Sequence, residues 1–307
     1  NAILQGTAAK LDGVTATGQG TTAVTALEGD AAAVLSGITT TNVTAAATLA
    51  NATTVSFTGD LGSAAVALTG TDGTDDIFNV DSATMGTATF TVDTNAILQG
   101  TAAKLDGVTA TGLGTTAITA LHSTLAADLS GIDTTTTTAA FDGSATFTGT
   151  LDDAVVTVGD GFTMTAAANV VAGETVNKVT NGVLAVTVGT ADAAVDLTTI
   201  GGTAISTVTV GADVTFTGTL HGTIQTDVDS GFVLTTTAAK ATGKTIAGNG
   251  ATTAITALDA TAAADLSGIT TTTVTAAATL ANATTVTFTG NLGKAAVALT
   301  GTDGTDD

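Results

Sequence analysis

The chain has 307 residues, 27 of them acidic against six basic, for a formal net charge of −21, and it contains no Cys, Pro, Trp or Tyr. No disulfide or Cys-ligated metal can form. A surface this acidic, whose only basic residues are Lys, repels the phosphates of nucleic acid and of anionic lipid. Thr and Ala are the commonest residues, the hydrophobic fraction is 44% and mean hydropathy is +0.47. That apolar content separates the chain from disordered acidic sequences, and its Thr, Val and Ile favour strands. No apolar run approaches the roughly 20 residues of a membrane helix, and no charged-then-apolar leader opens the chain.

Internal repeats organise the rest. Residues 1–38 recur at 95–132, an offset of 94, and residues 21–76 recur at 252–307, an offset of 231. The motif F-T-G-x-L starts at Phe57, Phe147, Phe216 and Phe288, giving gaps of 90, 69 and 72. All these intervals divide into units of about 23 residues, the range of short structural repeats. A unit so short cannot bury a core alone and fits one coil of a β-solenoid. The expected fold is therefore all-β, a parallel β-helix of roughly 13 coils spanning 1–307, about 60 Å long at ~4.8 Å per coil.

In chain order, Val55/Phe57, Leu184/Val186/Val188, Val208/Val210 and Val214/Phe216 alternate with small or polar residues, which predicts strands with one buried face. Gly59, Gly62, Asn181–Gly182, Gly201–Gly202 and Gly211 mark corners. Gly18-Gln19-Gly20 and Gly112-Leu113-Gly114 read as turns. The stretches Thr44 to Ala50 and Thr165 to Ala168 fit either a strand or a short Ala-rich helix. The nine Phe read as core filling. Tandem immunoglobulin-like sandwiches are the alternative fold, since an offset of 94 suits one such domain. Against them, 231 is not a multiple of 94 and the usual buried Trp is missing. Residue 1 aligns with Asn95 and Asp307 with Asp76, both inside repeats, so an excerpt of a longer repeat array is expected.

The one constellation that suggests a ligand runs from Thr69 to Asp81 (TGTDGTDDIFNVD), with a shorter copy at Thr300 to Asp307. Closely spaced carboxylates on a Gly-rich loop suit Ca²⁺, which takes six to eight oxygens, and without a cation they repel one another. The candidate metal ligands are Asp72, Asp75, Asp76, Asp81, Asp303, Asp306 and Asp307. Asp152/Asp153/Asp160 and Asp227/Asp229 are weaker candidates, and the competing reading throughout is a solvated acidic turn. The segment resembles the repeats-in-toxin nonapeptide, with Gly73, Asp75 and Ile77 or Phe78 in comparable roles, and the Thr/Ala-rich composition is similar to that of calcium-dependent bacterial surface-layer proteins. That resemblance implies a calcium-stabilised extracellular assembly.

Catalysis has little to work with. His122 and His221 are the only histidines and no G-x-S-x-G elbow is present. Both histidines read as polar residues of the surface, and the chain reads as no enzyme. The runs Thr39 to Thr41, Thr134 to Thr138 and Thr270 to Thr273 would form a flat outer array or accept sugars. Asn42-Val43-Thr44, Asn51-Ala52-Thr53 and Asn282-Ala283-Thr284 satisfy the N-x-Thr sequon. The functional expectation is a structural subunit of a bacterial cell-surface filament, sheath or layer. It associates with itself into a homopolymer, has surface glycans as candidate partners, and neither binds nucleic acid nor inserts in a membrane. A repetitive stalk of a giant adhesin is the second expectation.

Overall fold

A computed structural model of the protein describes residues 2–71, 76–282 and 284–302. The strands pair in parallel from one coil to the next, which is the β-solenoid and excludes immunoglobulin-like sandwiches, whose sheets are antiparallel. The chain divides into two compact units, residues 1–143 with 148–159 and residues 144–147 with 160–307.

In the first unit, Ile3–Thr7, Ala16–Thr25, Ile38–Leu49, Ala65–Gly70, Thr89–Val92, Thr109–Thr119, Ile132–Phe141 and Val155–Val158 lie side by side in that order. A second row, Thr54–Ser56, Asp76–Asn79 and Ala96–Thr101, joins the same sheet at Thr109–Thr119. The second unit holds two sheets. One runs from Ala145–Phe147 to Ile246–Ala247, and the other orders Val214–Thr215, Val233–Thr237, Thr252–Thr256, Thr273–Leu280 and Ala296–Gly301. Strict alternation of burial along Ala65–Gly70 and most of Ile38–Leu49 places Val and Leu inside and Thr outside, with Ala on either face, as period-2 patterning requires. The stretch Thr44 to Leu49 is therefore strand, while Thr165 to Ala168 ends a strand at Ala167 and opens a helical turn.

Three recurring corners close the coils. At the first lies a buried Leu, preceded by Val at Leu35 and by Asp at the others: Leu35, Leu61, Leu129, Leu197 and Leu266 each donate a backbone N–H to the next coil's carbonyl, at Asp60, Thr84, Thr150, Thr219 and Asn291. The steps along this corner run from Asp128–Thr150 to Val34–Asp60, but paired strands step by less, as from Ile3 to Thr21, Thr138 to Val155 and Val233 to Thr252, so the chain makes about 15 turns where 13 were expected. At the second corner, four-residue helices Ala8–Leu11, Ala102–Leu105, Ala168–Val171 and Ala238–Ala241 bury their first and last side chains. Each is followed two positions on by a glycine at positive φ, Gly13, Gly107, Gly173 and Gly243, which ends the helix without steric cost. The sequence pattern for this corner, T/A-A-A/N and then Gly four residues on, recurs at 7–13, 101–107, 167–173 and 237–243.

The third corner is the F-T-G-x-L motif. Phe57, Phe147 and Phe216 are at most 1% exposed, so the core reading of the phenylalanines holds there, and Phe57 stacks on Phe78 with ring centroids 5.7 Å apart. The glycine of the motif sits against the coil before it. A Cβ at Gly59, Gly149, Gly218 or Gly290 would lie between 1.9 and 2.1 Å from a carbonyl oxygen, that of Ala33, Ala127, Val195 or Ala264. Only hydrogen fits. The Gly-x-Gly triplets differ from expectation. They lie within the strands Ala16–Thr25 and Thr109–Thr119, and the pairing register of Ala16–Thr25 slips at Gly18. A Cβ at Gly20, Gly112 or Gly114 would meet the carbonyl oxygen of Ala2, Val92 or Asp93 at 2.5, 2.3 or 2.2 Å, so these three glycines let a neighbouring coil approach mid-strand.

Candidate functional site

Of the seven candidate metal ligands, Asp72, Asp75, Asp303, Asp306 and Asp307 lie outside the described residues. Asp76 opens the strand Asp76–Asn79 and is fully buried. One carboxylate oxygen accepts the Ala52 N–H at 2.9 Å and the other the Thr71 N–H at 2.8 Å. Asp81 accepts the Thr101 N–H at 2.7 Å and the Asn79 side-chain amide at 3.1 Å. That amide also donates to Gln99 Oε1 at 2.9 Å. Both carboxylates thus hold one coil to another through charge-assisted hydrogen bonds, and spend oxygens on the chain that a cation would need. Among the described residues no group of three or more His, Asp or Glu is placed to hold a metal ion.

The same device recurs through both units. Asp12 accepts the Val34 N–H, Glu28 that of Thr48, Asp106 that of Asp128, Asp213 that of Val233 and Asp259 that of Thr279. Each bond reaches one coil along the chain, at 2.8 to 3.0 Å. Asp160 joins them, accepting the backbone and side-chain N–H groups of Asn181. Much of the chain's acidity therefore serves as a series of carboxylate clamps between successive coils. The amine groups of Lys104 and Lys294 act in the reverse sense, donating to Ala83 O and Thr270 O of the preceding coil.

A second acidic set shapes the Leu corner from within. Asp128, Asp196 and Asp265 each accept the backbone N–H two positions on. Hydrogen bonds from the Ser130, Thr198 and Ser267 hydroxyls, then from their backbone N–H groups, hold these carboxyls below the ordinary range. Their folded pKa values are depressed, so their stabilisation is present above about pH 4 and is lost as the pH falls through the folded values.

His221 closes a turn after the Phe216 motif, its Nδ1 accepting the N–H groups of Thr223 and Ile224 at 3.3 and 3.1 Å. Burial, and secondarily the positive charge of Lys244, push its pKa down. The neutral ring is the acceptor, so the turn is held above about pH 6.5 and loosens as the pH falls. In an NMR titration, His221 will show a midpoint below that of free histidine, and Lys244→Gln will raise it. A midpoint at or above about 6.5, or one indifferent to Lys244, contradicts this account. His122 lies edge-on to Phe141, centroids 6.3 Å apart, and Gly143 leaves room for its ring. Its Nδ1 is buried and has no hydrogen-bond partner among the described residues.

Asp152 and Asp153, at φ 49° and 66°, line an open groove of about 600 Å³ with Ser130, Asp133 and Thr134. The Thr runs are exposed at Thr39, Thr41, Thr135, Thr136, Thr270, Thr272 and Thr273, but one hydroxyl of each run turns inward. Thr40, Thr134 and Thr271 donate to the hydroxyls of Thr22, Thr116 and Thr253, which are fully buried. This bridge repeats at the offsets of the sequence copies, and the strand pairing slips beside it, at Gly18/Thr21 and at Thr134/Thr136. The sequon asparagines Asn42, Asn51 and Asn282 are exposed. No helix among the described residues is long and apolar enough to cross a membrane. No family model, curated protein or solved structure matches the chain.

Proposed function

We propose that the protein is a structural subunit of a bacterial extracellular assembly, a filament, sheath or layer, in which coils of one molecule stack on coils of another. One observation carries this reading. Successive coils pair in parallel through their backbones in both units, as Ala16–Thr25 does with Ile38–Leu49 and Thr252–Thr256 with Thr273–Leu280, so the edge of one coil is complementary to the edge of the next. A parallel strand edge of this kind is a template for a further strand. A contact of this kind between unlike faces propagates instead of closing. The carboxylate clamps support the same reading, because each needs only a backbone N–H of the next coil. The acidic exterior keeps subunits dispersed until the edges meet.

Electron microscopy of purified protein at high concentration tests the proposal. Filaments or sheets are expected, and monodisperse particles with or without Ca²⁺ would instead favour an adhesin stalk. Calcium enters this reading through Asp72, Asp75, Asp303, Asp306 and Asp307. Calorimetric titration of EDTA-treated protein is expected to give binding heat and a higher melting temperature. Their absence removes calcium and leaves the stacking.

A further inference from the structure

The chain contains two Asn–Gly steps, Asn181-Gly182 and Asn249-Gly250, both at corners of the second unit. In such a step the backbone nitrogen after the asparagine can reach the side-chain amide, because glycine has no Cβ to hinder the approach. At Asn181 the fold blocks it. The backbone N–H and the side-chain Nδ2 of Asn181 both donate to Asp160 Oδ1, at 3.1 and 3.0 Å. The Gly182 N–H donates to Val179 O at 2.7 Å, and Gly182 is buried. The nucleophile and the amide it would attack are each engaged.

At Asn249 these restraints are absent or weaker. The residue is exposed, and its side chain makes no hydrogen bond among the described residues. Gly250 is exposed too, and its N–H is held by a side chain alone, the Thr272 hydroxyl at 2.7 Å. The preceding coil explains the difference. Thr163 and Val233 pair with Val183 and Thr252, which follow the two steps. Three residues before Thr163 and Val233 the preceding coil carries Asp160 in the first case and Ser230 in the second. The carboxylate that grips Asn181 is thus replaced by a hydroxyl, which a Cβ at Gly250 would meet at 2.4 Å.

We propose that Asn249 is a modification site, at which the folded protein converts asparagine to aspartate and isoaspartate through a cyclic imide. The backbone nitrogen of Gly250 attacks Cγ of Asn249. A bond forms between them, the Cγ–Nδ2 bond breaks, and ammonia leaves with the amide proton of Gly250. Water then opens the ring at either carbonyl, so solvent is the only co-reactant and nothing is oxidised or reduced. Opening at Cγ restores an ordinary main chain with one more carboxylate. Opening at the main-chain carbonyl routes the chain through the side chain and lengthens it by a methylene. The corner does not accommodate the longer link. Gly248 O accepts the Thr272 N–H and Gly250 O the Gly231 N–H, each at 3.0 Å, so both sides of Asn249 are bonded to neighbouring coils. Isoaspartate at this position loosens one of those bonds.

The test incubates the whole protein at mildly alkaline pH, folded and in urea, and follows both steps by peptide mapping with mass spectrometry. In urea the two are expected to convert at similar rates, since the reacting dipeptide is the same. In the folded protein Asn249 is expected to convert at least about tenfold faster than Asn181, the factor that one retained hydrogen bond is worth. Asp160→Ala is expected to narrow the gap by speeding Asn181, and Asn249→Gln to suppress conversion at 249. The isoaspartyl product is expected to exchange the Gly231 or the Thr272 amide faster than the parent protein. An intact Asn249 in the folded protein, or equal rates there for the two steps, overturns the inference. A gap as wide in urea as in the folded protein overturns the structural account of it, and unchanged exchange at both amides overturns the loosening.

Discussion

Gly218→Ala is expected to destabilise the second unit by about 4 kcal/mol or more, at the upper end of single-substitution effects. The added methyl would sit 1.9 Å from Val195 O, 2.7 Å from Val195 C and 2.9 Å from Ala194 C. All three are backbone atoms, so no side-chain rotation relieves the clash. The coils must separate, which breaks the bonds from the N–H groups of Thr217 and Gly218 to Ala193 O at 2.7 and 3.0 Å. The neighbouring bond from Leu197 N–H to Thr219 O, at 2.9 Å, is strained with them. Gly222→Ala is the control. It lies just past the motif, nothing approaches its Cβ position within 4 Å, and a change within about 0.5 kcal/mol is expected. Urea denaturation of the two variants decides the matter. Equal midpoints would show that the F-T-G glycine is a turn preference and not a packing requirement.

Asp192→Ala is expected to cost about 3–5 kcal/mol, measured in the same way. The side chain is 3% exposed, and one oxygen accepts the Asn169 N–H at 2.9 Å while the other accepts the Gly189 N–H at 2.8 Å. Asn169 lies in the first turn of the helix Ala168–Val171, where a backbone N–H has no partner within the helix. The clamp thus satisfies an orphan donor of one coil from the next. Truncation leaves two N–H groups without their acceptors, each costing about 1–3 kcal/mol. Asp192→Asn retains one acceptor oxygen and is expected to fall between wild type and Ala. An Ala variant within about 1 kcal/mol of wild type, less than one orphaned donor costs, would mean that the clamps are incidental to stability.

These two substitutions also mark where sequence reasoning reached and where it stopped. The coil was legible because the duplication offsets, 94 and 231, and the F-T-G-x-L spacing share a divisor near 23, although the turns are shorter than that divisor and number about 15. Alternation of Val, Leu and Phe with Thr and Ala placed the inner face correctly at Phe57 and at Val208/Val210. The tight corners were recognised only as glycine punctuation. That Gly218 faces a carbonyl while Gly222 faces nothing depends on the preceding coil, which is remote in the sequence. The short helical corners were missed, although the recurring T/A-A-A/N run before Gly at 7–13, 101–107, 167–173 and 237–243 was a usable signal.

The acidic residues show the same division. Read along the chain, Asp72 to Asp81 is a cluster, and a cluster suggests a cation. Folded, Asp76 reaches Ala52 and Asp81 reaches Thr101, so these two carboxylates point to neighbouring coils. The Thr runs were read as an outer array by composition, yet Thr40, Thr134 and Thr271 bond to buried hydroxyls. That pairing depends on a register slip, to which local patterning is blind.

Length, composition and repetition by themselves determined a parallel β-solenoid of short coils with an acidic surface, because periodicity and β-branched content are properties of the chain read locally. Only the tertiary structure decided what each carboxylate and glycine does. Those roles arise between coils, from backbone groups that are remote in the sequence and meet only when the coils stack.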